Sequence, residues 1–227
     1  MKVACIIPAL NEAERITPVL EAVTAASLVD EVLAVSDGST DDTYERALQV
    51  PGVKALKLEQ NIGKAGAMRH GAERTDADVV LFVDADLQGL APAHVDAMVS
   101  PVITDASDMC VGIFRGGRAL TDLAQKIAPV ISGQRAIRRE MFLSVPEISR
   151  VRMGVEIALT RWARDNGVRV STVVLDGVTH TMKEEKLGPV RGFASRLVMY
   201  ADIGRVLLGA SRSGERRSSR KQPRAER

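Results

Sequence analysis

Short apolar runs alternate with segments of helical spacing along residues 1–90. Val3 to Ile7 is an unbroken apolar run stopped by Pro8, the pattern of a strand buried on both faces. Glu12 to Ala26 places Ile16, Val19, Leu20 and Val23 on one helix face. Glu31 to Val35 predicts a second buried strand, followed by the turn-forming Ser36-Asp37-Gly38-Ser39 and a helix over Thr40 to Leu48. Val53 to Leu58 predicts a third strand, Lys64 to Arg74 a third helix, and Val79 to Val83 a fourth strand running into Asp84-Ala85-Asp86.

This alternation predicts an α/β fold: a doubly wound, mostly parallel, Rossmann-like sheet flanked by helices. Ligands of such sheets bind beyond the carboxyl ends of the strands. The chain's densest polar clusters, PALNE, SDGSTDD and DADLQ, fall at those ends. After Asp86 the pattern loosens. Helices are expected at Pro92 to Val102, Thr121 to Ile131, around Arg139 and at Gly154 to Asn166. Strands are expected at Asp108 to Phe114, Gln134 to Ile137 and Val168 to Leu175. From Pro189 to Leu208, Phe193, Leu197, Ala201, Gly204 and Leu208 recur at helical spacing among arginines, which makes the segment amphipathic. Residues 1–210 read as a single domain, with a ligand-binding half at 1–90 and a second half at 91–210.

The net charge is +2, yet residues 211–227 alone hold seven Lys/Arg against two Glu, so the body is mildly acidic. That tail lacks apolar periodicity and reads as a disordered basic segment, either simply solvated or an attractor for anionic surfaces. Aromatics make up 3% of the chain, too few for the stacking platforms of single-stranded nucleic-acid binders, so no nucleic-acid partner is expected. Cys5 and Cys110 are too few for a disulfide framework or a zinc site, and Cys5 reads as a small buried hydrophobe. No leader-like opening and no run of about 20 apolar residues is present. The expected setting is cytoplasmic, at most peripheral to the inner face of a membrane.

Three clusters carry chemistry. Asp84 and Asp86 end a buried strand, where two carboxylates can share a hard cation such as Mg²⁺ or Mn²⁺ that bridges a diphosphate; the plain alternative is a solvated turn. In Ser36 to Thr43, Gly38 permits a tight turn and Asp37 can accept hydrogen bonds from a base or ribose. The plain alternative there is helix capping by Ser39 or Thr40. In Asn61-Ile62-Gly63-Lys64-Ala65-Gly66, two glycines around a lysine at a helix start let backbone approach phosphate, although the P-loop spacing is absent.

Together, IPALNE at 7–12, SDGSTDDT at 36–43, NIGKAGAMRHG at 61–71 and VDADLQ at 83–88 resemble family 2 glycosyltransferases of the GT-A fold. The resemblance implies that Pro8, Ala9, Asn11, Glu12 and Asp37 contact the uridine or guanosine of a nucleotide sugar. Lys64 would lie near its base or phosphates. Asp84 and Asp86 match the family's D-x-D, with Asp86 the more direct metal ligand. DADLQ is similar to polyprenyl-phosphate sugar synthases, which adds Gln88 as a metal candidate. Ser36 departs from the pattern, because many members carry a second acid there.

The second half matches more loosely. Ser132 to Arg139 resembles the family's acceptor-side segment, so Arg115, Arg118 and Arg135 are candidates for an acceptor phosphate through their planar donor forks; each could equally be a solvated arginine. Glu156 is either a general base or a helix residue holding an arginine, the latter slightly preferred. His180 follows the last strand, where some GT-A enzymes place a metal-ligating histidine. His70 and His94 read as surface helix residues.

The implied reaction moves a sugar from a UDP- or GDP-sugar to a phosphorylated acceptor. A polyprenyl phosphate suits DADLQ, the amphipathic stretch and the basic tail. A small acid such as 3-phosphoglycerate suits the lack of a span and the His180 region. The lipid is the preferred expectation here; the 189–208 stripe serves core packing or a homodimer interface at least as well. Two rival readings are nucleotidyl transfer, disfavoured because PALNE stands where a glycine- and arginine-rich phosphate loop belongs, and a non-catalytic sugar-nucleotide module, disfavoured because both D-x-D aspartates are present.

Overall fold

In the computed structural model the described residues are 1–114, 132–146, 148 and 154–180. Their elements, in chain order, are β1 (Val3–Ala9), α1 (Ile16–Thr24), β2 (Glu31–Asp37), α2 (Thr43–Leu48), β3 (Val53–Leu58), α3 (Lys64–Ala72), β4 (Val79–Phe82), β5 (Leu87–Gln88), α4 (Pro92–Ile103), β6 (Met109–Phe114), β7 (Arg135–Arg138), α5 (Arg139–Leu143), α6 (Val155–Asp165), β8 (Val170–Leu175) and β9 (Thr179–His180). The expected helix at 121–131, Arg115, Arg118, the 189–208 stripe and the basic tail lie outside the described residues.

Seven of these strands form one sheet in the order β3-β2-β1-β4-β7-β6-β8. All run parallel except β7, which is antiparallel to both β4 and β6. Alternation along each inner strand splits the core in two. Cys5, Ile7, Val32, Ala34, Val79 and Leu81 face α1 and α4, where Ile16, Leu20, Met98 and Val99 meet them. Ala4, Ile6, Leu33, Val35, Val80 and Phe82 face α3, α5 and α6, against Met68, Phe142 and Leu159. The chain is therefore doubly wound, and its continuous apolar strands reflect burial on both faces. Cys5 and Cys110 are free and buried, and burial pushes the Cys5 thiol up.

Pro8 lies inside β1 rather than ending it. The Ile6 carbonyl accepts from Val83 N at 3.3 Å on the β4 side. Strand alternation turns the Pro8 nitrogen to that same side, past the last β1–β4 pair, so its missing N–H breaks no ladder bond. Two helices start later than the sequence pattern suggests: α1 at Ile16 and α2 at Thr43, because residues 11–15 and 38–42 are bound to each other as loops. His94 is not a bystander, since its Nδ1 accepts the Ala91 amide at 3.1 Å over the first turn of α4.

The two-residue strands β5 and β9 pair antiparallel, with Leu87 opposite His180 and Gln88 opposite Thr179. Neither is visible as a periodic run. Their ladder brings the backbone of residue 180 beside the segment that follows Asp86.

Candidate active site

The site gathers at the carboxyl ends of β1, β2 and β4, the location expected for a ligand of this architecture. Two loops there are stitched together by short polar side chains. Asn11 N donates to Ser39 Oγ at 3.2 Å, and Asn11 Oδ1 accepts from Thr40 N at 2.9 Å. Glu12 N donates to Thr43 Oγ1 at 2.8 Å, and Ala13 N to Asp41 Oδ2 at 3.2 Å. Asn11 reaches this geometry at φ 56°, a region Asn tolerates better than most residues. Asn11 and Glu12 thus hold the rim of the site, and the Glu12 carboxylate also accepts from Arg15 Nε at 2.6 Å. Helix α2 is not capped by Ser39 or Thr40. Asp41 Oδ1 instead accepts the Thr43 amide at 3.0 Å.

Asp37 is 3% exposed at the end of β2. Its oxygens accept the backbone amides of Ile62 at 2.8 Å and Gly63 at 2.9 Å. The carboxylate therefore shapes the 61–63 turn, and that turn places Lys64 at the start of α3. Gly38 makes the close approach possible: at φ 68°, a Cβ there would lie 2.5 Å from Asn61 N.

Lys64 is the charge centre. Its ammonium lies 2.6 Å from Asp84 Oδ1 and 2.7 Å from Glu156 Oε1. Burial alone would lower its pKa, but the charges of Asp84 and Glu156 and their hydrogen bonds outweigh that and raise it. Glu156, expected to hold an arginine or act as a base, holds Lys64 directly, and its charge also favours the buried Arg135 guanidinium. Arg135, expected on an acceptor-facing surface, is 1% exposed and donates through Nε to the Ser132 carbonyl at 2.9 Å. Burial pulls the Arg135 guanidinium down to about 10, against the charge of Glu156.

Of the residues expected at the site, the structure brings together Asp37, Lys64, Asp84 and Glu156, with Pro8, Ala9, Asn11 and Glu12 on the neighbouring β1 end and rim. Asp86 and Gln88 follow β4 on the β5 side, and β9 sets the backbone of His180 opposite Leu87. Arg115 and Arg118 lie outside the described residues. Sequence reasoning missed two residues here. Gln134, fully buried, donates its amide to Asp84 Oδ2 at 3.0 Å. Ser36 is 3% exposed, and its hydroxyl has no hydrogen-bond partner among the described residues. A signal existed for Ser36, which departs from the acid common at that place. Gln134 had none, because its partner lies 50 residues away.

Two aspartates with an amide oxygen and an imidazole make a donor set suited to a hard or borderline divalent cation, so the residue types fit a Mg²⁺ or Mn²⁺ site. Among the described residues no group of three or more His, Cys, Asp or Glu is preassembled for one.

The sequence pattern of Glycosyl transferase family 2 matches residues 4–155. The chain belongs to glycosyl transferase family 2. Over 194 residues this family 2 chain is 29% identical to the glucosyl-3-phosphoglycerate synthase of Mycobacterium tuberculosis, covering 69% of this chain and 59% of that protein. Over 126 residues it is 35% identical to the undecaprenyl-phosphate 4-deoxy-4-formamido-L-arabinose transferase of Serratia proteamaculans, covering 52% and 38%. A crystal structure of the M. tuberculosis synthase with Mn²⁺, UDP and glucosyl-3-phosphoglycerate superposes with a TM-score of 0.70 at 27% identity, covering 91% of this chain and 78% of that one. The same synthase with Mg²⁺ and UDP gives 0.68 at 26% identity, covering 89% of this chain and 79% of that one. The chain spans 59% of the length of the synthase it matches. Both acceptor classes weighed from the sequence recur among these family 2 relatives, and the small-acid relative aligns over the larger share of the chain. No helix among the described residues is long and apolar enough to cross a membrane.

Proposed function

We propose that this chain is a metal-dependent glycosyltransferase that moves a sugar from a UDP-sugar to a small phosphorylated acid such as 3-phosphoglycerate. The observation that carries the reading is the convergence of Asp37, Lys64 and Asp84 beyond the carboxyl ends of the β3-β2-β1-β4 block of a family 2 fold. The relatives favour this acceptor over the polyprenyl phosphate preferred from sequence patterns. The lipid acceptor remains the second reading, on the strength of DADLQ and the undecaprenyl-phosphate relative.

In this reading Asp86, with Asp84, Gln88 and His180, would hold Mg²⁺ or Mn²⁺, which supplies positive charge to the departing diphosphate. The buried Ser36 hydroxyl and the β1 end around Pro8 and Ala9 receive the nucleoside. Lys64 sits between two carboxylates and can turn its ammonium toward phosphate once a donor arrives, so charge is already in place where it develops. Glu156 retains the other end of that ion pair and keeps the lysine in register. A phosphorylated acceptor brings its own negative charge and needs cationic groups to hold it; Arg115 and Arg118 remain candidates for that role.

The test offers UDP-glucose and GDP-glucose, each with 3-phosphoglycerate or with vesicles carrying a polyprenyl phosphate, in the presence of Mn²⁺ or Mg²⁺. Wild type is expected to release UDP and glycosylate 3-phosphoglycerate, and Asp86→Ala to lose at least about 100-fold of that rate while melting normally. Transfer to the lipid alone would replace the acceptor, and no donor turnover by folded wild type would overturn the enzyme reading.

A further inference from the structure

We infer that Gln134 is a positioning residue for the metal-binding carboxylate, and that Ser132 and Gly133 exist in the chain to let it act; this rests on the reading of Asp84 as part of the metal and donor site. The segment containing these three residues resembles an acceptor-facing stretch in sequence. In the fold it packs directly against Asp84.

Four observations converge. Gln134 is fully buried and donates Nε2 to Asp84 Oδ2 at 3.0 Å, while Lys64 takes Asp84 Oδ1 at 2.6 Å. The carboxylate is thus gripped on each oxygen by a different element, which fixes its rotation. The orientation of the amide follows from its surroundings. A carboxylate only accepts, so the NH₂ must face Asp84 and Oε1 must face away. There Ser132 Oγ, 6% exposed, stands 3.0 Å from Oε1 and shares its one proton between that oxygen and the Gly112 carbonyl. The carboxylate and the hydroxyl together set the flip state of the amide, and the amide holds the carboxylate. Third, Gly133 lies so near that a Cβ on it would stand 2.5 Å from Asp84 Oδ2 and 2.7 Å from Lys64 Nζ. Any side chain at 133 would separate the pair. Last, the anchor is rigid: β7 inserts antiparallel between β4 and β6, and Gln134 O accepts Gly112 N at 2.9 Å.

Outer groups that orient a metal ligand typically contribute 10- to 100-fold in metal affinity. Gln134→Met keeps length and packing and removes the donor. The measurement is Mn²⁺ affinity in the presence of saturating UDP, read from the free Mn²⁺ signal in electron paramagnetic resonance, alongside the melting temperature and kcat and KM for UDP-glucose. The expected result is an affinity for Mn²⁺ weakened about tenfold or more, with little change in melting. Ser132→Ala should weaken it less, and Gly133→Ala at least as much as Gln134→Met. Should Gln134→Met fail to fold, Ser132→Ala decides the matter by the same measurement. Unchanged Mn²⁺ affinity in the folded variants overturns the inference, even if melting falls, because that is what a packing role alone would give. Wild type that binds no Mn²⁺ with UDP overturns instead the glycosyltransferase reading on which the inference stands.

Discussion

At the amino-terminal edge of the sheet, Asp108 accepts two bonds from the Arg169 guanidinium, at 2.7 Å and 2.9 Å, and one from its backbone amide at 3.1 Å, and Asp105 joins the guanidinium at 2.8 Å. Farther along the same edge, at the start of β2, Glu31 accepts Lys54 at 2.7 Å and the Thr75 hydroxyl at 2.6 Å. At the carboxyl edge, one ammonium is divided between Asp84 and Glu156, with Asp86 close in sequence and a buried Ser36 hydroxyl lacking a partner among the described residues. Both edges are rich in charge, yet at the first the cations Arg169 and Lys54 are half exposed or more, while at the second Lys64 is largely enclosed between Asp84 and Glu156. A solvated cluster has little to gain from a ligand. An enclosed ion group beside an unmet hydroxyl can exchange partners with a polar guest, so the difference in enclosure is the reason for proposing that binding belongs at the carboxyl edge.

The difference can be broken most sharply at Lys64. Lys64→Met leaves Asp84 and Glu156 facing each other without their shared cation, and transfer from UDP-glucose should fall at least about 100-fold. Its melting should fall too, because each partly buried acceptor loses a charge-assisted bond worth about 1–3 kcal/mol. A Lys64→Met protein with wild-type turnover would show that the lysine belongs with the structural pairs of the opposite edge.

Gly38→Ala should come next. It forces a side chain into a backbone contact at positive φ, at a cost of about 1–3 kcal/mol, and tilts the turn that carries Lys64. Calorimetry should register the loss, and KM for the donor should rise several-fold. A normal KM with lowered stability would separate the turn from the site.

On the other edge, Asp108→Asn should change stability by only about 1 kcal/mol, since Arg169 is half exposed and solvent screens the pair. Donor turnover should stay within about twofold of wild type. A large loss of activity there would erase the contrast between the edges.

The smallest effect is in the acid range. The Arg169 hydrogen bonds hold the Asp108 carboxyl down at about 2, against the opposing effect of burial, whereas an unfolded chain protonates such a group near ~3.9. The folded state therefore binds this proton less readily. The contribution is complete above about pH 4 and is lost as pH falls through 2. Melting curves of wild type should show that acid slope, and Asp108→Asn should flatten it.

Residues 1–90 were legible in detail because their information is local. Val53–Leu58 runs between the same residues in sequence pattern and structure. Val79 to Val83 shows its burial as an unbroken apolar run, and the polar clusters follow their strands directly. The later elements were legible as pieces but not as an arrangement. A strand was expected at Gln134 to Ile137 and stands at Arg135–Arg138, but nothing in its four residues says that it lies antiparallel between β4 and β6. Asp37 was recognised as a site residue, but its use on the Ile62 and Gly63 amides depends on a loop 25 residues away.

What this sequence determined by itself was the order of its elements, the alternation of its two core faces and the strand ends where its acids collect, all of which follow from periodicity and from the residues adjoining each strand. What only the tertiary structure decided was partnership. Glu156 meets Lys64 across 92 residues. Gln134 meets Asp84 across 50, and the β5–β9 ladder sets residue 180 opposite Leu87. A buried charge or amide must find a partner wherever the sheet order brings one within reach, and that order is chosen by the packing of the whole core rather than by any local run of residues.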